Sequence, residues 1–564
     1  MLSKTNAALL FVFYFVAVLV CYQNGSIVLY LVENDLFKLA NCLIFYFLIG
    51  YFLRNLIIFG NEVVRADRRV LMEVCGVLAI SSFFIFVSLR GAINGRIDLL
   101  PLVLTNTFEQ FSSVFDYFYS VDIRSYEKVL IDPVMYLFNI SVNLDHLSFI
   151  NRIGGLFILL TSFLVGKVFF RSSLLGLLVL FTFGLSRFVQ YNLTSIEYGT
   201  FSLLFVLLTF YFFLRYLDER EEKFINLGIV CGLIASFFRF ELSIILGMPI
   251  LLYLTLFSDR KHLSFRKLSL LTGLLSLRSA TIAGYMSPGG DTFVHGKDIG
   301  AESILALIGN VSSVLRNNIL GQHDLNLKFG NVSLLTYIAL GVAALVLPLG
   351  TCRELGKREL NANTAKLFFV SLMYLFMFSF VILVHIEGLR SGEKYSVNFF
   401  ILEILIGYGI FYRFLPRLIP KLKETYLSKM GFLGGCLALF AMLSIDHGFF
   451  ISRPYPFETA QVDQYRILSA INIESQCLLI KYNTNTPVID FFFPMRMKSI
   501  EIKSVGELTA FIKPESCFYL FDSPFYSPKP EVLDAEKVTP VLKRCKKEIL
   551  YMKEQSYTFL KFRC

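Results

Sequence analysis

The chain has 564 residues, of which 55% are hydrophobic and only 17% are charged. Its mean hydropathy of +0.63 excludes a water-soluble globular protein of this length, because such proteins carry about 25% charged residues. The formal net charge is +10, and we attribute it to basic cytoplasmic loops rather than to nucleic-acid binding. The composition therefore predicts an integral membrane protein with no nucleic-acid partner.

Apolar runs that approach the length needed to cross a bilayer, about 20 residues each, recur along the chain. The short runs 224–238 and 242–257 can alternatively form a re-entrant pair around Arg239 and Glu241. We predict a mainly α, polytopic membrane protein with about 13 transmembrane helices. These lie near 6–22, 36–53, 70–90, 149–166, 173–190, 198–214, 224–238, 242–257, 268–284, 332–350, 367–386, 396–412 and 430–446.

Lys and Arg residues set the expected orientation, since they are retained on the cytoplasmic side of short loops. With a cytoplasmic N-terminus, the basic residues concentrate in the cytoplasmic connections and the long polar segments and the C-terminus are exoplasmic. We expect a bacterial inner (plasma) membrane in preference to the endoplasmic reticulum. The basic connections are 54–69, 167–171, 215–223, 258–267, 353–366 and 413–429, and the exoplasmic segments are 91–148, 285–331 and 447–564.

The pattern divides the chain into four regions. Residues 1–90 form N-terminal transmembrane helices, 91–148 a long exoplasmic loop, 149–446 a transmembrane core, and 447–564 a small exoplasmic α/β domain. In that domain "QCLLIKYN", "PVIDFFF" and "CFYLFDS" are typical of strands, and "VGELTAFI" and "PEVLDAEKVTPVLKRC" of helices. Disulfides are permitted on the exoplasmic side. Its four cysteines allow three pairings, and the sequence leaves them open: Cys477, Cys517, Cys545 and Cys564.

The exoplasmic loop 91–148 is too long to be a turn and is rich in carboxylates. It ends in "DPVMYLFNI", which predicts an amphipathic helix that starts at Pro133, lies in the membrane interface and leads into the fourth span. The acidic residues of its central part are Glu109, Asp116, Asp122, Glu127 and Asp132.

These features resemble the GT-C membrane glycosyltransferases, in the branch of protein O-mannosyltransferases and lipid A aminoarabinose transferases. The resemblance rests on the acidic loop, Pro133 followed by "MYLF", and "NRIGGLFILLTSFLVGKVFF" after it. "LGIVCGLIASFFRFELSIILGMPILLYL" is similar to the Gly-rich helix of that family, and "LRSGEKYSVNFFILEILIGYGIFY" to a late span that begins with basic residues and Tyr. An added N-terminal hairpin explains why the long loop follows the third span.

The resemblance implies transfer of a sugar from a polyprenyl-phosphate donor to a glycan, lipid or protein acceptor on the exoplasmic face. A carboxylate must take or orient the acceptor's proton. Asp116 in "VFDYFY" is the first candidate, because we expect burial among aromatic rings to raise its pKa, and Asp122 is the second. The alternative is that these acids only solvate the loop.

Basic residues at the outer end of a late span are the candidates for binding the donor phosphate. We predict that Arg390 and Lys394 clamp it, that Tyr395 donates a hydrogen bond, and that Glu387 and Glu393 orient the cations. The alternative is a helix end anchored by snorkelling side chains.

Arg239 and Glu241 are candidates for a supporting role in the phosphate pocket, or else form only a polar turn. The sequence has no cluster of metal ligands, so no cofactor is predicted. Some members of the family bind a divalent metal, and its use stays open.

Two other classes of protein fit parts of the pattern. An exopolysaccharide or O-antigen polymerase or ligase also has many spans and an exoplasmic catalytic loop, but the C-terminal domain argues against it. A secondary transporter is the non-enzymatic alternative, and the sequence lacks the internal repeats expected of one.

Overall fold

The computed structural model describes most of the helical region and parts of the C-terminal region. The described residues are 4–24, 34–66, 68–88, 111–120, 126–140, 144–184, 200–239, 241–257, 264–285, 341–348, 362–384, 398–409, 477–482, 499–502, 517–522, 545–553 and 557–564, with a few isolated positions between them. The chain divides into two compact units, one helical and one containing the C-terminal strands, and each is described by itself.

The helical unit contains α1 (Lys4–Gln23), α2 (Asp35–Ala66), α3 (Arg68–Phe83), α4 (Val114–Ser120), α5 (Glu127–Leu137), α6 (Leu144–Phe170), α7 (Ser173–Gly184), α8 (Thr200–Glu219), α9 (Glu222–Phe238), α10 (Leu242–Phe257), α11 (Phe265–Tyr285) and α12 (Ala362–Val384). A π-helical turn, Phe84–Ser88, extends α3. Residues 341–348 and 398–409 are also helical.

Four of these helices contain stretches long and apolar enough to cross a membrane: Asp35–Ile58, His146–Phe170, Thr200–Glu219 and Ala362–Ser379. Shorter apolar helices include Ala8–Cys21, Leu71–Phe86, Ser173–Gly184, Leu242–Leu254 and Asn398–Gly409. The mainly helical, membrane-like character is confirmed. The count of about 13 spans stays a prediction, and the run at 430–446 lies outside the described residues.

Helix α9 lies at the centre of the helical unit. Every residue from Phe224 to Phe238 is buried, which fits its all-round apolar sequence, because a helix that is hydrophobic on all faces belongs in a core. Gly228 allows α8 to approach closely, since a Cβ there would lie 2.7 Å from a ring carbon of Phe213. The short run that the sequence left open as a re-entrant segment is therefore a central packing element.

Ion pairs join the helices at one end of the bundle. Lys366, at the start of α12, is fully buried and contacts Asp218 of α8 through a salt bridge. Its Nζ also donates to the carbonyl oxygen of Val168 in α6 at 2.6 Å. Arg171 binds the other carboxylate oxygen of Asp218 at 2.8 Å. These residues come from connections predicted to be cytoplasmic or border them, so the structure brings those connections to a common end.

The opposite end carries α4 and α5, which are held by α2. Lys38 Nζ donates to the carbonyl oxygen of Tyr119 at 3.2 Å, and the Tyr46 hydroxyl donates to that of Val129 at 2.5 Å. Pro133 lies inside α5, so the predicted helix start at this proline is wrong. The chain leaves α5 through Asn139, whose φ is 52°, and α6 begins as a separate helix at Leu144.

The described residues of the C-terminal unit form a five-stranded sheet in the order β2-β1-β3-β5-β4. The strands are β1 (Leu478–Tyr482), β2 (Ser499–Ile502), β3 (Cys517–Asp522), β4 (Lys546–Lys553) and β5 (Tyr557–Arg563). Strand β1 pairs in parallel with β2 and β3, and β5 pairs antiparallel with β3 and β4. The predicted strands in "QCLLIKYN" and "CFYLFDS" are confirmed. "PVIDFFF" and both predicted helices lie outside the described residues, apart from Cys545 at the end of the second.

Two disulfides cross-link neighbouring strands and select one of the three pairings. Cys477 bonds to Cys517, and Cys545 bonds to Cys564. Leu478 pairs with Phe518 across the parallel strands, so the residues immediately before them stand side by side. Their Cα atoms are 4.7 Å apart, which lies within the usual range for a disulfide.

Candidate functional site

Buried charged side chains gather where the start of α5 meets the start of α8 and the end of α9. The backbone N–H of Tyr126 donates to the carbonyl oxygen of Phe237 at 3.1 Å. That carbonyl belongs to the last turn of α9, whose carbonyl groups have no partner within their own helix. The contact fixes the first residues of α5 against the helical core.

Glu127 is 0% exposed, and its carboxylate lies at the N-terminus of α8. Oε1 accepts the backbone N–H of Ser202 at 3.1 Å, and the N–H of Phe201 also contacts the carboxylate. These N–H groups belong to the first turn of α8, where an acceptor is stabilising. Oε2 is buried and has no hydrogen-bond partner among the described residues.

Burial raises the pKa of the Glu127 carboxyl from 4.5 to about 8, although the backbone N–H groups and the nearby Arg239 oppose the shift. Burial dominates because the ionised form loses its hydration. At neutral pH the side chain therefore carries a proton most of the time. A carboxyl with a pKa near the ambient pH is suited to accepting and releasing a proton.

Arg239 and Glu241 form a buried ion pair in the connection between α9 and α10. Arg239 Nε lies 3.0 Å from Glu241 Oε1, and the two side chains are only 9% and 10% exposed. The Arg239 backbone N–H donates to the carbonyl oxygen of Ala235 at 2.9 Å and so closes the end of α9. The structure brings these two predicted site residues together and places Arg239 near Glu127.

Arg278 of α11 is a second buried arginine in this region and is 1% exposed. One of its Nη atoms donates to the carbonyl oxygen of Ser236 at 2.9 Å. Its Cζ atom lies 4.4 Å from the ring centre of Phe237 and 5.5 Å from that of Tyr126. Cation–π contacts and the terminal carbonyl of α9 both favour the positive charge here.

Asp132 lies one turn further along α5 and is also buried. Its Oδ2 accepts the Tyr117 hydroxyl at 3.3 Å and lies 3.8 Å from Lys128 Nζ. Burial lowers the pKa of Lys128, and Asp132 opposes that shift. Asp132 thus links α4 to α5.

Asp116, the first choice for the catalytic base, lies in a different setting from the one expected. Its side chain is exposed, and Oδ2 accepts hydroxyl hydrogens from Ser112 and Ser113, each at 2.8 Å. These hydrogen bonds lower the pKa of Asp116. The expectation that burial raises this pKa is wrong, because the neighbouring rings of Tyr117 and Phe118 turn inward while the carboxylate faces outward. Its catalytic role stays a prediction.

The other predicted site residues lie outside the described part of the chain. This applies to the second candidate base and to the whole basic cluster with its supporting acids: Asp122, Glu387, Arg390, Glu393, Lys394 and Tyr395. Their roles stay predictions.

Sequence reasoning did not select Glu127 and Asp132 from among the loop acids, and it missed Arg278. Arg278 interrupts the predicted span 268–284 in "LSLRSATIAG", and an ionisable residue within an apolar span marks a candidate functional site. The sequence therefore contained the information needed to select Arg278. The burial of Glu127 was harder to predict, because it depends on contacts between α5 and residues from α8 and α9.

The described residues contain no group of three or more His, Cys, Asp or Glu side chains that could hold a metal ion. The site that they form is an acid–arginine cluster, in which Glu127 can exchange a proton while Arg239 and Arg278 supply positive charge. Oriented cations in a site shielded from water stabilise an anion strongly.

Comparison with protein-family models gives no match for this chain, and comparison with curated proteins gives none either.

Proposed function

We propose that the protein is a membrane glycosyltransferase that moves a sugar from a polyprenyl-phosphate donor to an acceptor at the exoplasmic face. The observation that carries the proposal is the buried carboxyl of Glu127, whose pKa is raised to about 8, with Arg239 and Arg278 near the same helix ends. This transfer needs a group that accepts a proton and fixed cations that stabilise the departing phosphate. The resemblance to GT-C enzymes supplies the donor class.

In the proposed reaction, ionised Glu127 takes the proton of the acceptor hydroxyl or amide as that group attacks the anomeric carbon. The bond between the anomeric carbon and the phosphate oxygen breaks, and the polyprenyl phosphate leaves with the electron pair. Arg239 and Arg278 neutralise the charge that develops on the phosphate. Asp132 positions α5 through its contacts with Tyr117 and Lys128. Asp116, Asp122, Arg390 and Lys394 remain candidates for further contacts with acceptor and donor.

The proposal includes about 13 spans, a cytoplasmic N-terminus, an exoplasmic α/β domain and a location in the bacterial inner membrane. Two disulfides in the C-terminal unit support its exoplasmic location, because disulfides persist in oxidising compartments. The gathering of basic connections at the end of the bundle opposite Glu127 supports the orientation. Labelling with a membrane-impermeant thiol reagent tests it: introduced cysteines in 91–148 are expected to react from outside, and those in 413–429 are not.

The decisive experiment reconstitutes the purified protein in liposomes with radiolabelled polyprenyl-phosphate sugars and candidate acceptors. Transfer of label to an acceptor, lost in Glu127→Gln, is the expected result. Growth of a lipid-linked glycan chain would instead identify a polymerase, and uptake of unchanged sugar would identify a transporter. The same protein preparation distinguishes all three outcomes.

A further inference from the structure

Tyr14 connects the first helix to the interior of the bundle. It is 1% exposed, whereas the neighbouring Phe13 and Phe15 are 58% and 41% exposed. Among the described side chains of α1, Tyr14 is the one that is fully buried. A buried tyrosine hydroxyl usually has a hydrogen-bond partner, so the contacts of this hydroxyl show how α1 is attached.

The Tyr14 hydroxyl joins α10 to α11. It donates to the carbonyl oxygen of Ser243 at 3.1 Å, in the first turn of α10, and lies 2.8 Å from Ser279 Oγ in α11. Because its one hydrogen goes to the carbonyl, the hydroxyl accepts the hydrogen of Ser279. One side chain of α1 therefore links two helices that lie far from it in the sequence.

Both partners of this hydroxyl lie next to residues of the candidate site. Ser279 directly follows Arg278, and Ser243 comes two residues after Glu241. Consecutive residues of a helix point about 100° apart, so α11 turns Arg278 toward Ser236 of α9 and Ser279 toward α1. These two contacts together fix the rotation of α11 about its axis.

The position of the Arg278 guanidinium is sensitive to that rotation. A side-chain end at the surface of a helix lies about 5 Å from the axis, so a rotation of about 20° moves it by about 2 Å. Such a shift would break the hydrogen bond from Arg278 to Ser236, which is 2.9 Å long. A misplacement of about 1 Å can lower a catalytic rate by about 100-fold.

The second helix of the chain packs against the same surroundings. The ring centre of Phe45 in α2 lies 5.6 Å from that of Tyr126 and 5.4 Å from that of Phe237. The guanidinium of Arg278 lies over both of those rings. Helices α1 and α2 cover the first two predicted spans, which form the additional N-terminal hairpin. Both helices of this hairpin therefore contact groups that hold Arg278.

We propose that Tyr14 is a positioning residue for the candidate site. Its hydroxyl holds α11 at the rotation in which Arg278 meets the end of α9, and the N-terminal hairpin thereby supports the site. The effect on donor binding rests on the proposed function, whereas the placement of Arg278 does not. The alternative is that Tyr14 only anchors α1 in the bundle.

The first test measures the placement of Arg278 without reference to activity. Full-length protein in detergent is treated with phenylglyoxal, which modifies accessible guanidinium groups, and modification of Arg278 is followed by mass spectrometry. Arg278 is buried in the wild type and is expected to react slowly. Tyr14→Phe removes one oxygen and keeps the ring, and Ser279→Ala removes the other side of the same hydrogen bond. Each variant is expected to react several-fold faster at Arg278.

Tyr211→Phe is the matched control, because it removes a buried hydroxyl that contacts Arg215 in α8, away from Arg278. It is expected to react like the wild type. Wild-type rates in both Tyr14→Phe and Ser279→Ala would overturn the proposal. Equal acceleration in Tyr211→Phe would also overturn it, because the change would then reflect a general loosening of the bundle.

The double variant Tyr14→Phe with Ser279→Ala tests whether the two residues act through one contact. It is expected to react no faster than Tyr14→Phe alone, because residues that share an interaction have non-additive effects. Additive effects of the two changes would show that Tyr14 does not act through Ser279, and would refute this route to Arg278.

A second measurement rests on the proposed function. Tyr14→Phe is expected to raise KM for the polyprenyl-phosphate donor about tenfold, as for a weakened contact to a charged group, and to leave KM for the acceptor unchanged. A lower kcat with an unchanged donor KM would assign Tyr14 only the anchoring role. Absence of transfer in the wild type would count against the enzyme class, whereas the modification rates would still decide the placement of Arg278.

Discussion

The proton on Glu127 links the fold to the proposed chemistry, and Glu127→Gln tests both. The amide oxygen of glutamine can accept the same N–H of Ser202, so the variant keeps the contact at the start of α8. It removes the titratable group. Any pH dependence that disappears in this variant is therefore assigned to Glu127.

The direction of the effect on stability follows from the two pKa values. The carboxyl titrates near 4.5 in its reference state and near 8 in the folded protein, so the folded state holds its proton more tightly. Stability is then greatest below pH 4.5 and falls as the pH rises through 8. At 1.36 kcal/mol per unit, the loss over this window is about 5 kcal/mol as an order of magnitude.

Thermal unfolding in detergent between about pH 5 and about pH 9 covers most of this window. The wild-type Tm is expected to fall with rising pH, and the Glu127→Gln Tm to fall less, so that the variant becomes the more stable protein at the alkaline end. Transfer activity of the wild type is expected to rise with pH through about 8, because the base must be ionised. Parallel Tm curves for the two proteins would refute the raised pKa. Normal activity of Glu127→Gln would show that Glu127 serves only as a hydrogen-bond acceptor at the N-terminus of α8.

Other predictions address the remaining contacts. Asp116→Asn removes an exposed carboxylate with a lowered pKa and is expected to leave the pH profile of transfer above neutrality unchanged. Arg278→Lys keeps the charge but loses the planar guanidinium stacked on two rings, so weaker donor binding and a loss of about 1–2 kcal/mol in stability are expected from binding and melting curves. Lys366→Met removes the lysine from Asp218, which keeps its contact with Arg171, and is expected to lower the free energy of unfolding by about 1–3 kcal/mol. Cys477→Ser opens a cross-link that spans 40 residues, and a loss of about 4 kcal/mol is expected in unfolding of the C-terminal unit.

The helices were predictable because their signal is local. The runs around α6, α8 and α12 are apolar over the length needed to cross a membrane, and each forms a helix at nearly the predicted place.

Strands β4 and β5 were not predicted, because no secondary structure was expected after Cys545. "KKEILYMK" and "YTFLKFR" mix charged and apolar residues, and their strand character depends on pairing with each other and with β3.

The candidate site was only partly predictable, because its members are held by contacts between distant segments. Arg239 and Glu241 were recognisable as ions within an apolar stretch. Glu127 and Asp116 occupy the same acidic loop, and no local pattern separates them. Contacts with other residues separate them. The backbone N–H of Tyr126 donates to the end of α9, and this contact draws Glu127 inward. The hydroxyls of Ser112 and Ser113 instead hold Asp116 at the surface.

The position of Arg278 explains why buried charges persist at this end of the bundle. The last carbonyls of α9 need donors, and Arg278 together with the Tyr126 N–H supplies them at Ser236 and Phe237. A serine or asparagine could satisfy a carbonyl at lower desolvation cost, since an isolated buried guanidinium is expensive. Arg278 therefore places a full positive charge at the end of α9, and its contacts with Ser236 and Phe237 account for how that charge is held there.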